Sequence, residues 1–320
     1  MYEVLIQNGE TVYTPVVMEG LTWDTERKGS PGKVSFSCVS DDKLKVEEGN
    51  CVLIREDGKD IFYGFIFTIK RSESYKVEFT VYDQLRYFKN KETYVITNKK
   101  SSDVLRMIAK DFRLNVGAIE DTKYIIPSLI EDNQELFDVM QDALDEELKN
   151  SGVLYVLYDE CGNLCLRNYE NMLVQILIDE ETAQKFDYTS TIDNDTYNQV
   201  KLFYDNEDTG MRDVYMTKSS ANINKWGLLQ YSESLKEGEN GKAKAEALLK
   251  LYNAKTKSLK INGCAGDSRV RAGSCVVVRL NLGDTKLDNL MLVEKCKHTY
   301  KNDLHTMDLT LRGGVINSGE

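Results

Sequence analysis

The feature that most constrains this chain is a two-residue alternation of apolar and polar side chains that fills its first 95 residues, broken by turn signals. It runs through Lys33–Cys38, Cys51–Arg55, Phe62–Lys70 and Lys76–Tyr82. A strand sends successive side chains to opposite faces, so alternation describes a sheet with one buried and one solvated face. Asp57-Gly58 stands between two of these stretches and Asn8-Gly9 opens the chain. Such pairs favour two-residue hairpins, because both central positions of a type I′ turn need positive φ. The segment is expected to be antiparallel, as a barrel or a sandwich.

Between about 96 and 190 the period changes. Ser101 or Ser102 can cap a helix with Val104, Leu105, Ile108, Ala109 and Phe112 on one face. A second helix is expected from Asn133 to Lys149, with Leu136, Phe137, Met140, Ala143 and Leu144 on one side. A hairpin follows, Val153–Tyr158 and Leu164–Asn168, turning through Asp159 to Asn163. From 191 to 316 the strands return, with one helix, Asn240 to Leu251, whose apolar face is Ala243, Ala247, Leu248 and Leu251 and which should plug or cover a barrel.

The two β-rich ends echo each other. Glu48-Gly49-Asn50-Cys51-Val52-Leu53-Ile54 matches Ala272-Gly273-Ser274-Cys275-Val276-Val277-Val278, and each is followed by a loop, a strand (Phe65–Lys70 or Leu290–Lys295), a loop and an alternating strand (Val77–Val81 or Met307–Leu311). Two readings stand: a duplication, or the glycine punctuation common to antiparallel folds. A duplicated chain has a physical use, since three copies about a threefold axis present six similar units.

Charge and cysteine usage narrow the partners. Lys and Arg number 41 against 52 Asp and Glu, a net charge of −11, so the surface repels phosphate backbones and no specific nucleic-acid partner is expected. Apolar runs are strand-length and give no membrane span, and the N-terminal residues lack a basic region followed by an apolar one. The seven cysteines, at 38, 51, 161, 165, 264, 275 and 296, have no framework spacing and suit a reducing compartment.

The chain carries no GxSxG, HExxH, GxxxxGK[ST] or GxGxxG pattern. Its two histidines, His298 and His305, lie near Asp308, the one place where a metal or acid–base site can be argued. That site wants further ligands, so the reading assigns no metal, no cofactor and no catalytic residue. A carboxylate pair acting on cell-wall glycan needs no local motif and stays as the rival class, a peptidoglycan hydrolase, beside a peptidoglycan-binding module using some of the 18 tyrosines.

The run Tyr82-Asp83-Gln84-Leu85-Arg86-Tyr87-Phe88-Lys89-Asn90-Lys91-Glu92-Thr93-Tyr94 resembles the identifying segment of XkdQ-like proteins of PBSX-type prophage tails. Further segments in family order are Leu21-Thr22-Trp23 with Ser30-Pro31-Gly32, Ser102-Asp103-Val104, Trp226 to Tyr231, His298, and His305-Thr306-Met307. Phe88 stands where the family pattern leads one to expect an aliphatic residue.

That family resembles the baseplate hub, or late-control-D, group. The resemblance implies an α+β chain, predominantly antiparallel β, with two tail-tube-like β-barrels separated by a small α+β domain. The expected divisions are 1–95 for the first barrel, 96–190 for the insertion, and 191–320 for the second barrel with its short tail. It further implies a homotrimer that joins the sixfold tail tube to a threefold spike, among other baseplate proteins, and that is made in the bacterial cytoplasm and built into a virion or phage-tail-like particle. The isolated chain is compatible with a monomer that trimerises on its tube or spike partner. Within Tyr82–Tyr94 the favoured role is packing over the barrel mouth; the sharper one is a subunit interface using Arg86, Tyr87 and Tyr94.

Overall fold

The computed structural model describes residues 2–39, 43–72, 75–183, 185–206, 210–235, 239–283 and 286–313. The first stretch forms β1 (Tyr2–Asn8), β2 (Thr11–Tyr13), β3 (Val17–Glu26), β4 (Lys33–Val39), β5 (Cys51–Glu56), β6 (Lys59–Arg71) and β7 (Lys76–Tyr82). All are antiparallel, in the spatial order β2-β1-β5-β6-β7-β4-β3. The alternation does what it predicts: Val4, Ile6, Val34, Phe36, Val52, Ile54, Val77, Phe79 and Val81 point to one core. Asp57 (φ 48°) and Gly58 (φ 79°) make the tight turn between β5 and β6.

The middle of the chain comprises a 3₁₀ turn (Gln84–Lys89), then β8 (Lys91–Lys100), α1 (Ser101–Asp111), β9 (Val116–Ile119), β10 (Ile125–Glu135), α2 (Leu136–Ser151), β11 (Tyr155–Asp159) and β12 (Leu164–Asn168). The apolar faces of α1 and α2 share a core with Leu85, Phe88, Ile96 and Ile126. Two expectations are corrected here. Neither Ser101 nor Ser102 caps α1: the Ser101 hydroxyl donates to the Ala143 carbonyl at 2.7 Å, and the cap position is Lys100, whose amide donates to the Asp103 carboxylate. The second helix starts at Leu136, because β10 holds the backbone extended through Glu135. The hairpin turns at Cys161 (φ 47°) and Gly162 (φ 84°).

The remainder forms β13 (Leu173–Ile178), β14 (Lys185–Thr191), β15 (Gln199–Asn206), β16 (Met211–Lys218), α3 (Ser220–Trp226), β17 (Gln230–Ser234), α4 (Gly241–Tyr252), β18 (Thr256–Ala265), β19 (Cys275–Asn281), β20 (Lys286–Lys301) and β21 (Leu304–Gly313). β13 and β14 come from the stretch assigned by sequence to the insertion, and they pair with β19 and β18. The role expected of the 240–251 helix is corrected: α4 covers a separate three-stranded sheet, β16-β15-β17. It packs Ala245 and Leu248 on Val200, Leu202 and Leu235. Ala243 is exposed, and the buried face also carries Lys244, held by Glu239 at 2.8 Å and Glu233 at 3.1 Å. A buried lysine is tolerable when paired and hydrogen-bonded.

The echo between the two ends is structural. The first unit runs β1-β5-β6-β7-β4-β3 and the second β13-β19-β20-β21-β18-β14, the same order with the same chain succession. Gly49 (φ 90°) donates its amide to Ile66 O (2.8 Å), Ile66 N donates to Asn50 O (3.0 Å), and Asn50 N donates to Glu47 O (3.2 Å). Gly273 (φ 93°), Val293, Ser274 and Arg271 repeat that set at 2.7, 2.8 and 3.0 Å. A bulge follows at the same place in each, between Ile66 and Thr68 and between Val293 and Lys295. The outermost pair differs: β1 lies antiparallel to β5, whereas β13 lies parallel to β19.

Candidate functional site

The two sheet units meet where β3 pairs with the second half of β20, from Leu21↔Tyr300 to Glu26↔Lys295. The bulge between Val293 and Lys295 frees this half of β20 from β19, so one strand serves both units. Gly20 (φ 94°) sits at the seam's start, and a Cβ there would overlap the Tyr300 carbonyl oxygen. At the other end the Arg27 amide donates to Glu294 O (3.0 Å), and the Arg27 guanidinium grips the Glu294 carboxylate through two bonds of 2.8 and 3.0 Å.

Both histidines lie in this seam. His298 is fully buried, stacked on Trp23 with ring centroids 4.9 Å apart, and His305 stacks on Tyr300 at 4.0 Å. His298 Nε2 lies 2.8 Å from the Val270 carbonyl and Nδ1 lies 2.9 Å from His305 Nε2, while His305 Nδ1 lies 3.1 Å from Glu56 Oε1. A carbonyl only accepts, so His298 Nε2 carries a hydrogen. Neutral His298 then accepts at Nδ1, His305 donates from Nε2, and His305 Nδ1 faces the Glu56 carboxylate. Burial pushes His298 down to about 4 and also lowers His305, with Glu56 opposing the latter shift. Every ring nitrogen is thus committed to a protein partner. Asp308 lies elsewhere, accepting from the Gly263 amide at 2.8 Å. Among the described residues no group of three or more His, Cys, Asp or Glu could hold a metal.

The segment Tyr82 to Tyr94 joins the first unit to the middle. The Asp83 carboxylate accepts from Gly32 N (2.9 Å) and Leu85 N (3.0 Å), which caps the 3₁₀ turn. A Cβ on Gly32 would overlap that carboxylate, so Ser30-Pro31-Gly32 and Asp83 form one device. Phe88 is buried against Phe137, centroids 5.5 Å apart, so the expected aliphatic position is filled by a tilted ring pair. Of the three named interface candidates, Tyr94 is 7% exposed and donates its hydroxyl to Asp111 Oδ2 at 3.0 Å. Arg86 and Tyr87 lie half-buried at the surface beside Phe67, the Arg86 guanidinium 5.2 Å and the Tyr87 ring 6.1 Å from its ring centre.

Burial pushes Asp83 well above the usual carboxylate range, with Asp159 adding to the effect, and raises Asp159 to about 6. A raised carboxyl is what the acid partner of a glycan-cleaving pair calls for, though its mate must stay ionised. Asp83 and Asp159 line a cavity of about 30 Å³ with Trp23, Tyr158 and Arg271, room for a water molecule and far too small for a sugar ring. The seam residues Gly20, Arg27 and Glu294 have no local signature, because their partners lie some 270 positions away in sequence.

Comparisons with known proteins agree on one group. The family model described as YqbQ-like matches residues 21–312. The phage-like element PBSX protein XkdQ of Bacillus subtilis (strain 168) is 27% identical over 310 residues, covering 94% of this chain and 94% of that protein. A tail protein from Neisseria meningitidis MC58 shares the fold at a TM-score of 0.68 and 12% identity, covering 98% of this chain and 96% of its own. The Escherichia coli c3393 protein, a type VI secretion component described as structurally similar to T4 tail proteins gp27 and gp5, shares it at 0.57 and 9% identity over 96% of this chain and 76% of its own.

Proposed function

The chain belongs to the YqbQ-like family, and we propose that it is the hub of a contractile, phage-like baseplate, a structural adaptor that performs no catalysis. The observation that carries this reading is the duplication. One chain holds two sheet units of the same strand order, the same glycine turn and the same bulge. Three chains about an axis therefore offer six like surfaces to a sixfold tube above and three like positions to a threefold spike below. The fold shared with prophage tail proteins supports the placement in a tail, and the c3393 likeness supports a spike as neighbour. The segment between the units, residues 84–172, is in this reading an insertion on the outside of the ring.

Electron microscopy of particles from the source cell, with this chain labelled, tests the reading: label at the lower end of the tube supports it, and label on the sheath or fibres contradicts it. Co-purification of tube and spike proteins with the labelled chain is expected alongside. Lysis of peptidoglycan by the pure protein, abolished by a single carboxylate substitution, would move it to the hydrolase class.

A further inference from the structure

The duplication also says which surfaces two copies should use. Within one chain the seam joins the open half of β20 to β3. The second unit has its own counterpart of β3, namely β14, and the first unit has its own counterpart of β20, namely β6. Both counterparts end in edges with no main-chain partner among the described residues. β14 is the last strand of the sheet, and β6 beyond Ile66 is paired only on its β7 side. In one chain's sheet order six strands separate the two edges, and among the described residues β14 and β6 do not pair with each other.

We propose that β14 of one copy pairs antiparallel with residues Phe67–Arg71 of the next copy, repeating between chains the joint that β3 and β20 make within one. This surface rests on the hub reading above, which supplies the ring; the strand register comes from the chain itself. Val81 and Leu311 match through their bulged partners Ile66 and Val293, and Trp23 and Tyr188 match through Val34 and Leu259. Carried across, Lys295↔Glu26 becomes Thr68↔Thr191, His298↔Trp23 becomes Arg71↔Tyr188, and Arg27 beside Glu294 becomes Ile192 beside Phe67.

The chemistry of those pairs agrees on both sides at once. The Arg27–Glu294 ion pair is replaced by two apolar side chains, and the Lys295–Glu26 ion pair by two threonines. The ring stack of His298 on Trp23 becomes a guanidinium over a tyrosine. In none of the pairs from Phe67 to Arg71 does a charge face an apolar partner. Cys296↔Thr25 and Lys297↔Asp24 map onto Ile69↔Ser190 and Lys70↔Thr189, and Lys70 already has Glu78 at 3.3 Å. Exposure fits an edge awaiting a strand, since Thr68, Lys70, Arg71 and most of β14 are exposed, including Phe186 at 37%. Arg86 and Tyr87 enter as well, because they hold Phe67 where the incoming Ile192 would rest. Strand addition of this kind takes affinity from main-chain hydrogen bonds and register from the side-chain pairs.

The test uses the full chain in assembled particles. Thr68→Cys and Thr191→Cys are introduced separately and together, and a short thiol-to-thiol cross-linker is applied. The double variant is expected to give covalent species up to three chains. Each single variant should stay at one chain, which also controls for the half-buried native Cys51 and Cys161. In parallel, Phe67→Glu should weaken association roughly tenfold or more by placing a lone charge against Ile192, and adding Ile192→Arg should restore it. Three chains per particle with no cross-link and no rescue would overturn the edge assignment while leaving the hub standing. A chain number other than three per particle would remove the hub reading and the joint together.

Discussion

Trp23 and Tyr188 occupy equivalent places in the two sheet units, opposite Val34 and Leu259, yet Trp23 is 4% exposed beneath β20 while Tyr188 lies half-buried on an open edge. The same strand position has become a core residue in one unit and a rim residue in the other. What differs is whether a further strand lies alongside. The comparison teaches that the burial of an edge strand is set by its neighbour in the sheet and not by its own sequence pattern, so an uncovered edge in one repeat is informative when the other repeat shows it covered.

The largest expected effect is at the covered position. Trp23→Ala should cost about 3–5 kcal/mol of stability in urea unfolding of the isolated chain, as for large buried aromatics, while Tyr188→Ala should cost about 1 kcal/mol and act on assembly instead. Equal losses at both sites would break the distinction. The seam also predicts a pH dependence. Unfolded, His298 titrates near 6.5; folded, burial holds it at about 4, so the unfolded chain binds the proton more readily. Its contribution, about 3 kcal/mol, is present above pH 6.5 and is lost as the pH falls toward 4. The raised Asp159 has the opposite sign, losing its contribution as pH rises from the ordinary carboxylate range toward 6. The diagnostic is therefore a difference between wild type and His298→Asn: the variant should show a shallower fall below pH 6.5, the remainder belonging to His305, and parallel curves would contradict the account.

A smaller effect separates buried from exposed ion pairs. Arg27→Ala should cost about 1–3 kcal/mol because it strands Glu294 in the seam, whereas Arg279→Ala, whose partner Asp288 is well exposed, should cost less than about 0.5 kcal/mol. Smallest in stability are Arg86→Ala and Tyr87→Ala, each expected within about 1 kcal/mol of wild type by thermal unfolding. Particle assembly should nonetheless fall in both, and unchanged assembly would confine that loop to packing within its own chain.

Much of the fold was legible where the signals are local. Asp57-Gly58 and the Cys161 hairpin are short-range grammar, and the stripes of α1 and α2 meet the core as their spacing predicts. The resemblance carried by Tyr82 to Tyr94 and the other segments led to the family that the comparisons then showed. The errors came from competition between partners. Ser101 has a cap residue's chemistry but a better acceptor in the Ala143 carbonyl, and α4 carries a buried Lys244 that no apolar count would place inward. The echo of Gly49 in Gly273 could be seen in sequence but not proved there, because its substance is hydrogen-bond order and bulge position. The seam was invisible for the same reason, being built from residues hundreds of positions apart.

The most direct measurement of the central claim is a reconstruction of the particle's lower end without imposed symmetry. The account predicts three copies of this chain and six like sheet units in one ring, with covered and formerly open edges alternating around it. Six copies contributing one unit each, or two units placed at different heights along the axis, would contradict it.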